Sequence, residues 1–391
     1  MGHLHVSAEF DAMARKIDEI APVLRAEAEN CEEQGALTDD VVRALESTGV
    51  LRIGIPSELG GYEFSPSQVV RTIEQLSYHD ASVGWTVMAV QFVTGCTAGY
   101  LGAEAVADLY PDVTAGRHAV IAGQGTRLGT AVRADGGYRI SGRWGFASGI
   151  PLATHIHTAA FCAETGESLV FTFPKELATL VDNWDVLGLR ATHSIDYVCE
   201  DVFVPATHAF AATTMENVHG GALYRLGLVN LAAVVHSGWA LGVGRRLLDE
   251  LKALVAAKTG THNAAVDTGW FHAAYARAEA RFRAARAWAM EVWADNEATL
   301  DRGEHLSTEQ ETLTRLMLGN TTWSVHDVGD TVHRWAATTA IRRGDLQRYL
   351  RDLDTGTQHI TSGPVVLQKC GASLAGLAPG AHWHFLDLVP D

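Results

Sequence analysis

The chain has 391 residues, more than one hydrophobic core usually serves, so two or three domains are expected. Hydrophobic residues make up 47% and charged residues 19%, the balance of a packed protein and not of a disordered one. The net charge of −16 argues against a nucleic acid or an anionic membrane as partner. The five cysteines (Cys31, Cys96, Cys162, Cys199, Cys370) are scattered and show no CxxC spacing, which argues against a disulfide scaffold or a zinc site and for a reducing cytoplasm. The first residues lack the apolar segment of a secretion signal.

Residues 7–110 read as helical. Ala8 to Cys31 carries apolar residues at helical spacing, with an interruption expected at Ala21-Pro22. Thr38 is a good N-cap for a helix whose face is Val41, Val42 and Leu45, and Gly49 and Gly54 end that region. Ser65-Pro66 opens the next helix, Ser67 to His79, and Ser82 to Tyr100 forms another. After Pro111 the texture changes to short β-rich runs: Ala119–Ile121, Thr130–Arg133, Tyr138–Ser141, His155–Phe161, Leu169–Phe173 and Tyr197–Val204. Asp135-Gly136-Gly137 and Glu164-Thr165-Gly166-Glu167 read as turns between them. That spacing predicts a sandwich or barrel, closed by Pro205. Long alanine-rich helical segments follow at 222–258, 267–302 and 307–340, with a last one near 345–375, and predict a four-helix bundle. The apolar run Leu226–Gly244 is broken by Asn230, His236, Ser237 and glycines, so it is read as a buried bundle helix and not as a membrane span. The domains expected are residues 1–115, helical; 116–215, β; and 216–391, the helical bundle.

Several chemistries find no motif. Gly123-Gln124-Gly125 lacks a third glycine and a following helix, so a Rossmann site is not indicated. There is no P-loop, no HExxH and no GxSxG. His155 with His157, and His382 with His384, alternate without acidic or cysteine partners at metal spacing, so no metal is expected. The most informative stretch is Ser141-Gly142-Arg143-Trp144-Gly145-Phe146-Ala147-Ser148-Gly149. Two aromatics among glycines and hydroxyls at a strand end can lay a flat face on a planar ring and offer small hydrogen-bonding groups to its edge. The same residues could equally be a hairpin with Trp144 and Phe146 in a core.

That stretch resembles the middle domain of the two-component flavin-dependent monooxygenases that share the acyl-CoA dehydrogenase fold. Gly54-Ile55-Pro56-Ser57-Glu58-Leu59-Gly60-Gly61 is similar to the loop after the second helix in that superfamily. Glu200-Asp201-Val202-Phe203-Val204-Pro205 resembles the end of its β domain. Leu346-Gln347-Arg348-Tyr349-Leu350-Arg351-Asp352, followed by Gln358-His359, resembles its C-terminal helical segment. The resemblance implies an α+β multidomain, acyl-CoA dehydrogenase-like fold: an N-terminal helical domain, a central β-barrel or sandwich and a C-terminal four-helix bundle.

It also implies roles. Ser148 is expected at the flavin N5 edge, Trp144 along the ring face and Phe146 packed beneath it. His359 is expected near C4a, hydrogen-bonding the peroxide or deprotonating a substrate hydroxyl. Arg342, Arg348 or Arg351 could hold the flavin phosphate, as could Arg343, against the alternative of a salt-bridged helix face with Asp345, Asp352 and Asp354. Gln124 is a further candidate for the flavin site; Trp85 and Gln91 are candidates for the substrate wall. The activity implied is the oxygenase component of a monooxygenase, using reduced FMN or FAD and O2 through a C4a-hydroperoxyflavin on a bulky, aromatic or polycyclic substrate. A separate flavin reductase, a homotetramer and a cytoplasmic location are implied with it. Alternatives are N- or S-oxygenation on the same fold, an acyl-CoA dehydrogenase with a displaced base, and a non-catalytic binding protein. Against the dehydrogenase, matching the Gln347-Arg348 pair puts Ile341 where that family commonly carries its glutamate base.

Overall fold

Thr38 acts as its side chain predicts: its hydroxyl accepts from the Val41 N–H and opens helix α2 (Asp39–Thr48), which Gly49 ends in a left-handed conformation. The computed structural model describes residues 8–262 and 264–390. Backbone packing divides the described chain into two units. One comprises Met1–Val69, Trp85–Asp185 and Arg190–Ala232; the other comprises Val70–Gly84, Val186–Leu189 and Ala233–Asp391.

Helix α1 (Ala8–Gln34) buries Phe10, Met13, Ile17, Ala21, Leu24, Ala28 and Cys31 along one stripe. The interruption expected at Pro22 does not occur. A proline inside a helix costs about 3 kcal/mol, and complete burial of Ile17 and Leu24 on either side returns roughly 1.5–3 kcal/mol each. Helices α3 (Pro66–His79), α4 (Ala81–Tyr100) and α5 (Ala103–Leu109) follow.

The strands are β1 (Ile121–Ala134), β2 (Gly137–Trp144), β3 (His155–Cys162), β4 (Glu167–Pro174), β5 (Thr179–Val181), β6 (Asp196–Pro205) and β7 (Ala209–Ala211). They form one seven-stranded sheet in the order β5-β6-β2-β1-β3-β4-β7, antiparallel except where β1 runs parallel to β3. Ile121 and the run Thr130–Arg133, expected on two strands, lie on β1, whose pairing with β3 shifts register between Gln124 and Gly129. Strands β5 and β7 have three residues each, too few to show an alternating pattern in sequence. The sheet bends strongly. Trp144 on β2 donates its indole N–H to the Ala159 carbonyl on β3, which is not its neighbour, at 3.0 Å. Tyr138 on β2 likewise meets Phe171 on β4 edge-to-face, with ring centroids 5.3 Å apart.

The second unit is built on α6 (Gly227–Lys258), α7 (Gly269–Asp301), α8 (Thr308–Ala336), α9 (Asp345–Gly356) and α10 (Pro364–Leu374). Among the described residues one helical stretch, Ala222–Lys258, is long and apolar enough to cross a membrane, but 83% of its most apolar window is buried within the protein. Gly238 and Gly242 let α6 press on the Val70–Gly84 segment: a Cβ on Gly242 would lie 2.2 Å from the Glu74 carbonyl oxygen. A capping box of Ser307 and Gln310 starts α8. The single run expected at 345–375 divides into α9 and α10 around His359. The sequence reading missed a C-terminal hairpin, β8 (Ala381–His384) with β9 (Asp387–Pro390). Its Trp383 donates to the Thr312 hydroxyl at 2.8 Å and lies under the Arg315 guanidinium, 4.3 Å from the ring centroid.

Candidate active site

Strand β2 ends at Trp144, and the next five residues turn sharply. Phe146 has φ of +65° and Gly149 has φ of +75°. A positive φ is costly for a bulky residue, so neighbours must hold it there. They do so through backbone bonds to the 190–196 segment: Ala147 N–H donates to the Ile195 carbonyl at 3.0 Å and Gly149 N–H to the Thr192 carbonyl at 2.8 Å. Gly149 also lies against α4, where a Cβ would fall 2.8 Å from Val90 and 3.0 Å from Thr86.

This docking places Ser148 in a polar cluster. The Trp85 indole N–H from α4 donates to Ser148 Oγ at 3.1 Å. Ser148 Oγ lies 2.7 Å from Ser194 Oγ, which lies 2.6 Å from Thr192 Oγ1. All four residues are buried. Nearby on α4, Thr86 Oγ1 and Gln91 Nε2 are buried atoms that find no partner among the described residues, a rare condition that suits a polar ligand.

The structure brings together only some of the other expected residues of this unit. Trp144 is wholly enclosed, stacked on Tyr197 at 5.5 Å, so it fills the sheet core and has no face for a ring. Phe146 is not packed beneath anything: it is 69% exposed and meets Trp184 edge-to-face at 6.1 Å. Gln124 spends its side-chain oxygen on the Thr126 and Arg127 N–H groups of its own loop. Gln91 accepts from the Gly54 N–H at 3.1 Å. Trp85 joins Ser148 instead of standing apart as a wall.

In the second unit, Arg348 is buried and donates to Asp345 at 2.7 Å; it also faces Asp80 and Asp352. Burial pushes the Asp352 carboxyl up to about 7, against the lowering effect of the Leu189 N–H that it accepts. Arg351 donates to the Leu187 carbonyl at 2.8 Å. Both arginines therefore spend donors on the helix packing around them. Arg342 and Arg343 are exposed.

His359 caps the turn Ile360–Ser362. Its Nδ1 accepts from the Thr361 N–H and lies 2.8 Å from the Thr361 hydroxyl. A backbone N–H can only donate, so the ring hydrogen sits on Nε2. His236 from α6 stacks on the ring at 4.0 Å. Burial, then the His236 charge, hold the His359 pKa well below the usual imidazole value, so the ring is neutral.

Among the described residues, one group could hold a metal by spacing: His326, Asp327 and Asp330 on α8. His326 is already bonded to Asp354 of α9 at 3.1 Å, which ties the two helices together.

Residues 8–116 match the family model "Acyl-CoA dehydrogenase, N-terminal domain" and residues 234–363 match "Acyl-CoA dehydrogenase, C-terminal domain". An indole-3-acetate monooxygenase of Pseudomonas putida is 28% identical over 91% of this chain and 91% of its own. The oxygenase subunit HsaA of a flavin-dependent monooxygenase from Rhodococcus jostii is 26% identical over 90% of this chain and 94% of its own. The chain belongs to the acyl-CoA dehydrogenase superfamily. Its fold is that of the Streptomyces protein XiaF, solved with FADH2 and glycerol. That match has a TM-score of 0.86 at 23% identity and covers 95% of this chain and 96% of the other.

A flavin ring needs a polar edge, and the Ser148 cluster fits one: small hydroxyls and an indole N–H on buried residues. Two members of that cluster, Thr192 and Ser194, escaped the sequence reading. They sit in Ala191-Thr192-His193-Ser194, with no motif, and reach Ser148 only through the fold. Ile341, six residues before Gln347, is 72% exposed and carries no titratable group.

Proposed function

We propose that this protein is the oxygenase component of a two-component monooxygenase, taking reduced FMN or FAD from a separate reductase and hydroxylating a bulky aromatic compound. The overall reaction consumes substrate C–H, O2 and the two-electron-reduced flavin. It yields substrate C–OH, water and oxidised flavin. The flavin supplies the activation of O2, for which side chains have no equivalent. The observation that carries the reading is the buried Ser148 hydroxyl, held by Trp85 and Ser194 in a family whose members use this chemistry. Ile341 at the base position disfavours dehydrogenation of an acyl thioester.

Within the first unit, Ser148 is assigned to the ring edge, and the exposed Phe146, edge-on to the half-buried Trp184, offers aromatic surface. The cluster's burial keeps water from the reacting edge and so limits loss of oxygen as peroxide. In the second unit, His359 is assigned as a neutral Nε2–H donor, and the exposed Arg342 and Arg343 are the candidates favoured among the arginines for a phosphate. Assembly as a homotetramer through the C-terminal helices is supported by the exposed Val365, Leu367 and Leu374 of α10 and by Trp323 of α8.

Ser148→Ala tests this. Losing the hydrogen bond to the ring edge, about 1 kcal/mol, should raise the hydrogen peroxide released per reduced flavin oxidised several-fold, read by a peroxide assay during turnover. The melting temperature should move by less than about 4 °C. Unchanged peroxide yield with normal product formation would remove Ser148 from the mechanism.

A further inference from the structure

We infer that the hydroxyl chain Thr192–Ser194–Ser148, pinned by the Trp85 indole, is a positioning device that lets the protein match the redox state of a flavin ring nitrogen. This rests on the flavin reading above. Each hydroxyl has one hydrogen and two lone pairs. The indole can only donate, so one lone pair of Ser148 Oγ is permanently taken. The two remaining contacts, 2.7 Å from Ser148 to Ser194 and 2.6 Å from Ser194 to Thr192, can run in either direction.

Run outward, from Thr192 to Ser194 to Ser148, the chain fills the second lone pair of Ser148 and leaves its hydrogen facing a ligand. Run inward, Ser148 gives its hydrogen to Ser194 and presents a lone pair. The first state suits oxidised flavin, whose N5 carries no hydrogen and accepts. The second suits reduced flavin, whose N5–H donates. Ser148 is the most exposed of the three hydroxyl residues, at 8% against 3% for Ser194 and 1% for Thr192, so the ligand-facing end is Ser148. Rotation of three hydroxyls changes the state with no movement of heavy atoms and no net charge.

The inward state needs acceptors at both Ser194 and Thr192. Ser194→Ala removes the first. The Ser148 hydrogen then has nowhere to go but outward, where it opposes an N5–H. Thr192→Val, nearly the same shape at a buried position, removes the second and leaves the Ser194 hydrogen directed at Ser148. Both variants should bind reduced flavin less well while oxidised flavin binds as before.

The test measures Kd for oxidised and for photoreduced FMN and FAD, anaerobically, in the wild-type chain and both variants. The expected result is a rise of about 3–12-fold in the ratio of reduced to oxidised Kd in each variant, the effect of one neutral hydrogen bond. A residue that only holds the loop in place would weaken both redox states together. The inference is overturned if the ratio stays within twofold of wild type in the folded variants. Should Ser194→Ala fail to fold, Thr192→Val alone decides. If wild type itself binds neither redox state, the flavin reading fails and not this inference alone.

Discussion

His359→Ala is expected to slow product formation by about 10²-fold, the lower end of what a placed proton donor contributes. Flavin affinity should change far less, since the flavin ring is assigned to other residues. The Nε2–H of the wild-type ring is fixed by what Nδ1 accepts from Thr361. His359→Gln retains an N–H donor and should recover part of the rate, whereas a merely structural loss would not be rescued in that way. A linked effect follows in stability. Because burial holds the folded-state pKa of His359 well below the ordinary imidazole value of about 6.5, the neutral ring contributes stability above that pH. That stability is lost as the pH falls through and below 6.5 towards the folded value. The alanine variant should therefore lose less stability than wild type on acidification. Both effects are read by steady-state product assay and by thermal melts at pH 5 and 8. A rate within threefold of wild type would remove His359 from the chemistry.

Trp144→Ala is expected to destabilise the protein by about 3–5 kcal/mol, the cost of emptying a fully packed aromatic site. The indole is 0% exposed, stacked on Tyr197, and bonded to the Ala159 carbonyl across the bend of the sheet. A denaturant melt should show the loss as a lower midpoint. Had Trp144 stood against a flavin, the variant would instead stay folded and show an altered spectrum of bound flavin. A midpoint like wild type with a changed flavin spectrum would contradict its placement in the core.

The contrast between Trp144 and Phe146 shows how far pattern reading reached. Ile140 and Trp144 are four apart on β2 and share its buried face, so strand alternation already assigns Trp144 to the core. Counting two further puts Phe146 on that face as well. The backbone turns at Gly145, Phe146 takes a positive φ, and the ring swings into the open. Nothing in the composition of the stretch signals that reversal. Arg348 is similar: Asp345 lies three residues before it on the same helix face, so the ion pair was legible, but the approach of Asp80 and Leu189 was not. Thr38, the glycine caps and the long amphipathic helices depend on neighbours within a few residues. They were legible for that reason. Ser194 gains its role from a contact 46 residues away and Thr192 through Ser194, and the Trp85–Ser148 bond spans 63.

The most direct test supplies the purified protein with reduced flavin from a separate reductase, a panel of phenols and indoles, and ¹⁸O₂. Mass spectrometry of the products then reports where the oxygen comes from. An oxygenase places one ¹⁸O atom in each hydroxylated product. Products without label, or bleaching of oxidised flavin by acyl thioesters with no hydroxylation anywhere in the panel, would contradict the account.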